Sequence, residues 1–294
     1  MTLMTMTLMT MTSMTMTSMT MTLMTMTLMY AAASMRFLWR GLLALLWLIS
    51  LSNSGWTQEP APVPEWSPAV KDERGILTHE VRSSLQDVPT LVRVLQPDNR
   101  EAGKRYPVVY VLPVEAGLGQ QYGDGLREVQ KQDLHNKYQS LFVSPTFAKL
   151  PWYADHPTDP RLRQEAYLLQ VVLPGVEKHY PVRGERAGRL LLGFSKSGWG
   201  AFTLLLRNPQ LFDKAAIWDA PLMMAQPNKY GMEPIFGTQA NFEQYQITRL
   251  LALRAKELRQ DPSPRLIIVG YGSFREHHEQ AHALLKQLDI PHAY

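Results

Sequence analysis

Gly188–Phe212 reads GRLLLGFSKSGWGAFTLLLRNPQLF, and the fold is decided here. The run Leu190-Leu191-Leu192 predicts a strand over Arg189–Phe194, and apolar residues at helical spacing predict a helix over Gly198–Leu206. Between them stands Gly193-Phe194-Ser195-Lys196-Ser197-Gly198. Strand, sharp turn and helix form the context in which a G-x-S-x-G-like pattern carries chemistry, because the turn lifts the serine out of the sheet. The residues two before and two after that serine must be small. Gly193 is the first, and Ser197 replaces the usual second glycine with Gly198 beside it. The plain alternative is a Gly/Ser strand-to-helix loop, which any parallel sheet requires.

Working outward, strands and helices alternate. Thr90–Leu95 and Tyr106–Val114 are β-branched runs bounded by turn residues, and Ser140–Thr146 is a further short strand candidate. Arg163–Tyr180 has helical spacing and stops at Pro181. Lys214–Trp218 predicts a strand, Gln244–Leu258 a helix, Arg265–Val269 a buried strand and His277–Leu288 a helix. Ile290–Tyr294 begins another strand. This order predicts an α/β domain over 75–294, with a mostly parallel sheet, helices on both faces and an incomplete last strand and helix.

The N-terminal residues follow other rules. Twelve of the sixteen Met residues fall between Met1 and Met29, in a five-residue Met/Thr period that fits neither helix nor strand packing. Residues 1–34 are therefore read as unfolded low-complexity sequence. Arg36 and Arg40, the 11-residue apolar run Gly41–Leu51 and the small residues Ser52-Asn53-Ser54 are the three parts of a signal peptide over 35–54. The run is short against the roughly 20 residues of a membrane-spanning helix. A secreted or periplasmic protein follows, with no membrane contact after signal removal, and a retained anchor is the alternative. Residues 55–74 hold four prolines between Thr57 and Val70 and read as a linker.

A net charge of +4, without basic runs interleaved with aromatics, speaks against nucleic acid as a partner. Zero Cys excludes disulfides, thiolate metal ligands and a cysteine nucleophile.

The segments YPVVYVLPV, GFSKSGWGAFTLLLRNPQLF and IIVGYGSFREHHEQAHALLKQLDIPHAY resemble the esterase D-like branch of the α/β-hydrolase superfamily, over roughly Val81 to Tyr294. The resemblance implies a serine esterase that needs no cofactor. Ser195 would be the nucleophile, with the Lys196 N–H as one oxyanion donor at the start of a helix. The loop after the family's third strand usually reads His-Gly-Gly and gives the second donor. Here it reads Pro113-Val114-Glu115-Ala116-Gly117, leaving the Val114 backbone as the candidate. The acid usually follows strand seven, where this chain offers only Glu276. Asp219 ends strand six, an alternative position in the superfamily, and is preferred here. The bland reading of Asp219 is a turn cap beside Pro221.

The family places its histidine in a Gly-His segment just after an Ile-Pro-His-x-Tyr strand, and the sequence stops at Tyr294. His292 lies within that strand, and His277, His278 and His282 lie on the preceding helix. The expectation is a fragment, an early end of the reading frame or a loss of the family chemistry.

Three further features carry weaker expectations. His278-Glu279-Gln280-Ala281-His282 matches H-E-x-x-H, so His278 and His282 could share a helix face as zinc ligands, although no third ligand is evident. Trp152 and Tyr153 sit in a Pro-rich loop and are expected to line an acyl or sugar pocket. Lys196 is similar in position to the cation that follows the nucleophile in glucuronoyl esterases, with a solvated lysine as the alternative. The sequence thus favours an exported esterase acting on a small-molecule ester or an acylated carbohydrate. A non-catalytic binding protein or inactive fragment is the second reading, and a zinc hydrolase the third.

Overall fold

The computed structural model describes residues 63–294. The Met/Thr repeat, the stretch read as an export signal and the first part of the stretch read as a linker lie outside the described residues. No helix among the described residues is long and apolar enough to cross a membrane.

The strands are β1 (Glu65–Trp66), β2 (Val70–Lys71), β3 (Leu77–Arg82), β4 (Thr90–Leu95), β5 (Val108–Val111), β6 (Leu141–Pro145), β7 (Arg189–Phe194), β8 (Lys214–Trp218), β9 (Leu266–Ile268) and β10 (His292–Ala293). They form one sheet in the order β1-β3-β4-β6-β5-β7-β8-β9-β10, with β2 paired to β3. The pairings from β6 through β10 are parallel, and those among β1 to β4 and between β4 and β6 are antiparallel. The chain is thus an α/β protein with a mostly parallel sheet, as its alternating pattern predicts.

Burial along β7 alternates. Leu191 and Gly193 face the larger core, whereas Leu190, Leu192 and Phe194 face the other side and are partly covered. The larger core packs the sheet against the helices Lys196–Arg207, Ile247–Leu258 and Arg275–Gln287. On the second face the helix Gly125–Lys131 covers β4 to β7 through Leu126 and Val129. Beyond it the cover thins: Trp218 at the end of β8 is 40 % exposed and Val269 just after β9 is 59 % exposed. Helices therefore lie on both faces, but one face is covered only in part.

Two expectations change. Part of the stretch read as linker supplies β1 and β2, because Trp66 has a place to fill. Its ring stacks on His179 at 5.2 Å, and a side chain at Gly175 would come within 2.1 Å of it. Trp152 and Tyr153 do not line an open pocket, for both are fully buried. The Gln164 side-chain oxygen accepts both of their backbone N–H groups, at 2.8 and 2.9 Å, so their loop enters the core without unpaired amides. The Trp152 ring meets Trp199 edge-on at 6.1 Å.

A buried Trp152 makes a definite prediction. Trp152→Ala is expected to lower stability by about 3–5 kcal/mol in urea unfolding. Trp218→Ser, on the thinly covered face, is expected to stay within about 0.5 kcal/mol of wild type.

Candidate active site

Ser195 sits between β7 and the helix Lys196–Arg207 with φ 52° and ψ −122°. A non-glycine residue in this region costs about 1–3 kcal/mol and persists only where its surroundings hold it. The turn is held by contacts that only small residues permit. A Cβ at Gly193 would lie 2.1 Å from the Ser197 carbonyl oxygen, and one at Gly198 would lie 2.7 Å from the Ala220 Cβ. Ser197 is fully buried, and its hydroxyl both accepts from the Phe194 N–H and donates to the Phe194 carbonyl, each at 2.9 Å. The residue that replaces the usual glycine thus staples the turn. The Ser195 N–H donates to the Trp218 carbonyl at 3.1 Å, tying the elbow to the end of β8.

Lys196 is the first residue of its helix, so its N–H has no carbonyl one turn earlier to bond. Its half-buried ammonium is held below the usual lysine range by burial, which the nearby Glu115 carboxylate opposes. The second candidate donor follows β5. Tyr153 donates its hydroxyl to the Pro113 carbonyl at 2.5 Å. In a trans peptide the carbonyl and N–H point in opposite directions. Binding the Pro113 oxygen therefore turns the Val114 N–H away from Tyr153. The Tyr153 ring lies against the elbow helix, where a Cβ at Gly200 would come within 2.0 Å of it. One buried tyrosine thus braces both donor-bearing segments. No local sequence signal announces this, since Tyr153 and Pro113 are forty positions apart.

A cavity of about 120 Å³ opens beside the elbow, lined by Val114, Glu115, Tyr122, Gly193, Phe194 and Trp218 among others. Phe194 stacks on Trp218 at 5.4 Å, and Tyr122 meets Phe194 edge-on at 5.9 Å. These aromatics, not Trp152 and Tyr153, form the wall.

Asp219 follows β8 with φ 44°. Its Oδ1 accepts the N–H groups of Gly272 at 2.8 Å and Phe274 at 2.7 Å, in the loop after β9. Burial works against its ionisation, but these donors and the neighbouring His278 hold the carboxyl below its usual range. Asp219 therefore reaches from the end of β8 to the loop after β9. Glu276, the alternative acid, is exposed and accepts from Gln280 at 3.0 Å.

The chain has eight histidines, all among the described residues, and none hydrogen-bonds Ser195. His278 Nε2 accepts the Ala220 N–H at 2.7 Å, whereas His282 Nδ1 faces His292 Nε2 at 2.8 Å. The H-E-x-x-H pair is thus engaged by different partners. No group of three potential ligands gathers among the described residues.

Residues 142–273 match the family model described as "Putative esterase". No curated protein matches the sequence. Among solved structures the chain is similar to a ferulic acid esterase (18 % identity, TM-score 0.60), covering 74 % of this chain and 88 % of that one. It is similar to the fluorophosphonate-binding serine hydrolase F of Staphylococcus aureus (17 %, 0.61), with 77 % and 89 % covered. An S-formylglutathione hydrolase from Agrobacterium tumefaciens gives 16 % and 0.60, with 78 % and 89 % covered.

The elbow can be tested by size alone. Gly193→Ala is expected to abolish soluble folded protein or lower stability by more than about 3 kcal/mol, because backbone occupies the Cβ position. Ser197→Ala, which loses only the staple, is expected to cost about 1–2 kcal/mol in thermal unfolding. The chain thus shares its fold with these esterases and serine hydrolases, and its residues 142–273 are similar to the putative esterase family.

Proposed function

We propose that the protein is an exported serine esterase that cleaves a carboxylic ester through an acyl-enzyme on Ser195. The observation that carries this reading is the positive-φ turn at Ser195, built between Gly193 and Ser197 at the end of a central parallel strand. Such strain at a partly buried serine has a use in presenting Oγ to a carbonyl carbon. In the acylation step Oγ bonds to that carbon and gives its proton to a base; the ester C–O bond then breaks, and the base passes that proton to the leaving oxygen, which departs as the alcohol. Water then releases the acid. The Lys196 and Val114 N–H groups would stabilise the tetrahedral oxyanion, and Asp219 would be the orienting acid. Trp218, Phe194 and Tyr122 suit the apolar part of a small ester or an acylated sugar.

The proton acceptor is the demanding part. No histidine hydrogen-bonds Ser195 among the described residues, and this observation favours a second reading: a non-catalytic protein that binds a ligand in the same cleft. Serine sites stripped of triad members keep about 10³–10⁴-fold catalysis over water from the oxyanion hole and binding. The esterase reading therefore expects a reactive but slow serine.

A fluorophosphonate probe followed by intact-mass and peptide analysis separates the two. The esterase reading expects one phosphonyl group on Ser195 and none on Ser195→Ala; no labelling of folded wild type selects the binding reading. Imidazole added as a diffusible base is expected to raise p-nitrophenyl acetate hydrolysis by wild type above the Ser195→Ala baseline. Tyr153→Phe frees the Pro113 carbonyl and is expected to lower kcat up to about 10²-fold with little change in KM, since the interaction it supports forms in the transition state.

A further inference from the structure

The loop after β8 and the loop after β9 are laced in both directions. Asp219 accepts amides from the second loop at Gly272 and Phe274. In return, two adjacent imidazoles at the start of the helix Arg275–Gln287 accept amides from the first: His278 Nε2 from Ala220 at 2.7 Å, and His277 Nδ1 from Met223 at 3.1 Å. A backbone N–H only donates, so each accepting ring nitrogen carries a lone pair and no proton. His278 is then neutral with its proton on Nδ1, and His277 is neutral with its proton on Nε2. Neighbouring histidines hold opposite tautomers.

We propose that His277 and His278 are positioning residues, which as neutral imidazoles fix the Asp219–Met223 segment and with it the Asp219 carboxylate. The Asp219 role rests on the esterase reading; the lacing does not. Its reach extends to the elbow, because Ala220 packs where a side chain at Gly198 would meet its Cβ at 2.7 Å. His278 is fully buried, and its Nδ1 has no hydrogen-bond partner. Such an orphan donor costs about 1–3 kcal/mol, a cost that a leucine or phenylalanine here would avoid. The ring is explained by what its other nitrogen holds.

The groups around the pair decide what acid does. His278 faces Asp219, His277 and the Tyr271 ring at 6.2 Å; His277 faces Glu276, Lys229 and the Phe274 ring at 5.5 Å. Burial holds both imidazoles below the ordinary histidine value of 6.5, although Asp219 favours the charged form of His278 and Glu276 that of His277. The folded state binds these protons less readily than the unfolded chain. The stability they give is therefore complete above about pH 6.5 and falls as pH drops from there towards the folded-state values. Protonation at either accepting nitrogen sets a donor against a donor and releases the loop. Asp219 keeps its charge to lower pH.

Amide hydrogen exchange, corrected for intrinsic rates, tests this without reference to Ser195. Between pH 7.5 and 5 the segment 219–224 is expected to lose at least tenfold protection while β7 keeps its own. His277→Asn/His278→Gln, which retains acceptors that do not titrate, is expected to show no such pH dependence. Protection in wild type that is flat across this range overturns the proposal, as does an equal loss in the variant. If the variant does not fold, ¹⁵N imidazole shifts of wild type decide: Nδ1–H at His278 and Nε2–H at His277 support the lacing, and any other tautomer pair overturns it. Fluorophosphonate labelling at both pH values keeps the readings apart, because an unlabelled Ser195 with a pH-sensitive loop removes the esterase alone.

Discussion

The carbonyl oxygen of Ser197 occupies the space where Gly193 would carry a side chain. That close approach bends the chain back at the end of β7 and holds Ser195 at positive φ. The rest of the site is arranged around it. The helix that follows can lie near β8 because Gly198 admits Ala220, and it can take the Tyr153 ring because Gly200 has no side chain. Different sides of the helix Lys196–Arg207, two positions apart at Gly198 and Gly200, thus meet the loop after β8 and the loop after β6. Strain at the serine is distributed into packing that a fully buried Ser197, Trp199 and Phe202 make stiff.

Polar groups near the elbow work mainly as struts. Tyr153 fixes a peptide, Ser197 fixes a turn, Asp219 fixes a loop and His278 fixes that loop in return. Each acts on a backbone group, and all but Ser197, which bonds within its own turn, join segments distant in sequence. A fixed backbone is what an oxyanion site needs, because preorganised amides stabilise charge without reorganising. The charged side chains are arranged differently: Glu115 borders the open cleft, and its carboxylate faces the half-buried Lys196 ammonium.

Much of this was legible in the residues. β4, β7 and β8 fall on the predicted Thr90–Leu95, Arg189–Phe194 and Lys214–Trp218, because β-branched or apolar runs between turn residues leave little choice. β1 and β2 were hidden, since two-residue strands beside prolines depend on Trp66 finding its place against His179. The elbow was visible from local spacing. The placement of Trp152 and Tyr153 was not, because aromatic residues in a Pro-rich loop suit either a pocket rim or a core. The deciding contacts, Gln164 and Gly200, lie far along the chain. The H-E-x-x-H pattern shows the converse: the spacing is real, yet tertiary contacts send His278 and His282 to separate partners.

Two features meet at one side of the sheet. Cover over the β8 and β9 side chains thins on the face that carries Trp218 and Val269, and no histidine among the described residues hydrogen-bonds Ser195. The central claim is that the elbow nonetheless presents a nucleophile to two amides. A crystal structure of the protein after reaction with a fluorophosphonate tests it most directly. The account predicts phosphorus bonded to Ser195 Oγ, with a phosphonyl oxygen within hydrogen-bond distance of the Lys196 and Val114 N–H groups. Phosphorus on another residue, or a phosphonyl oxygen turned away from both amides, would contradict it.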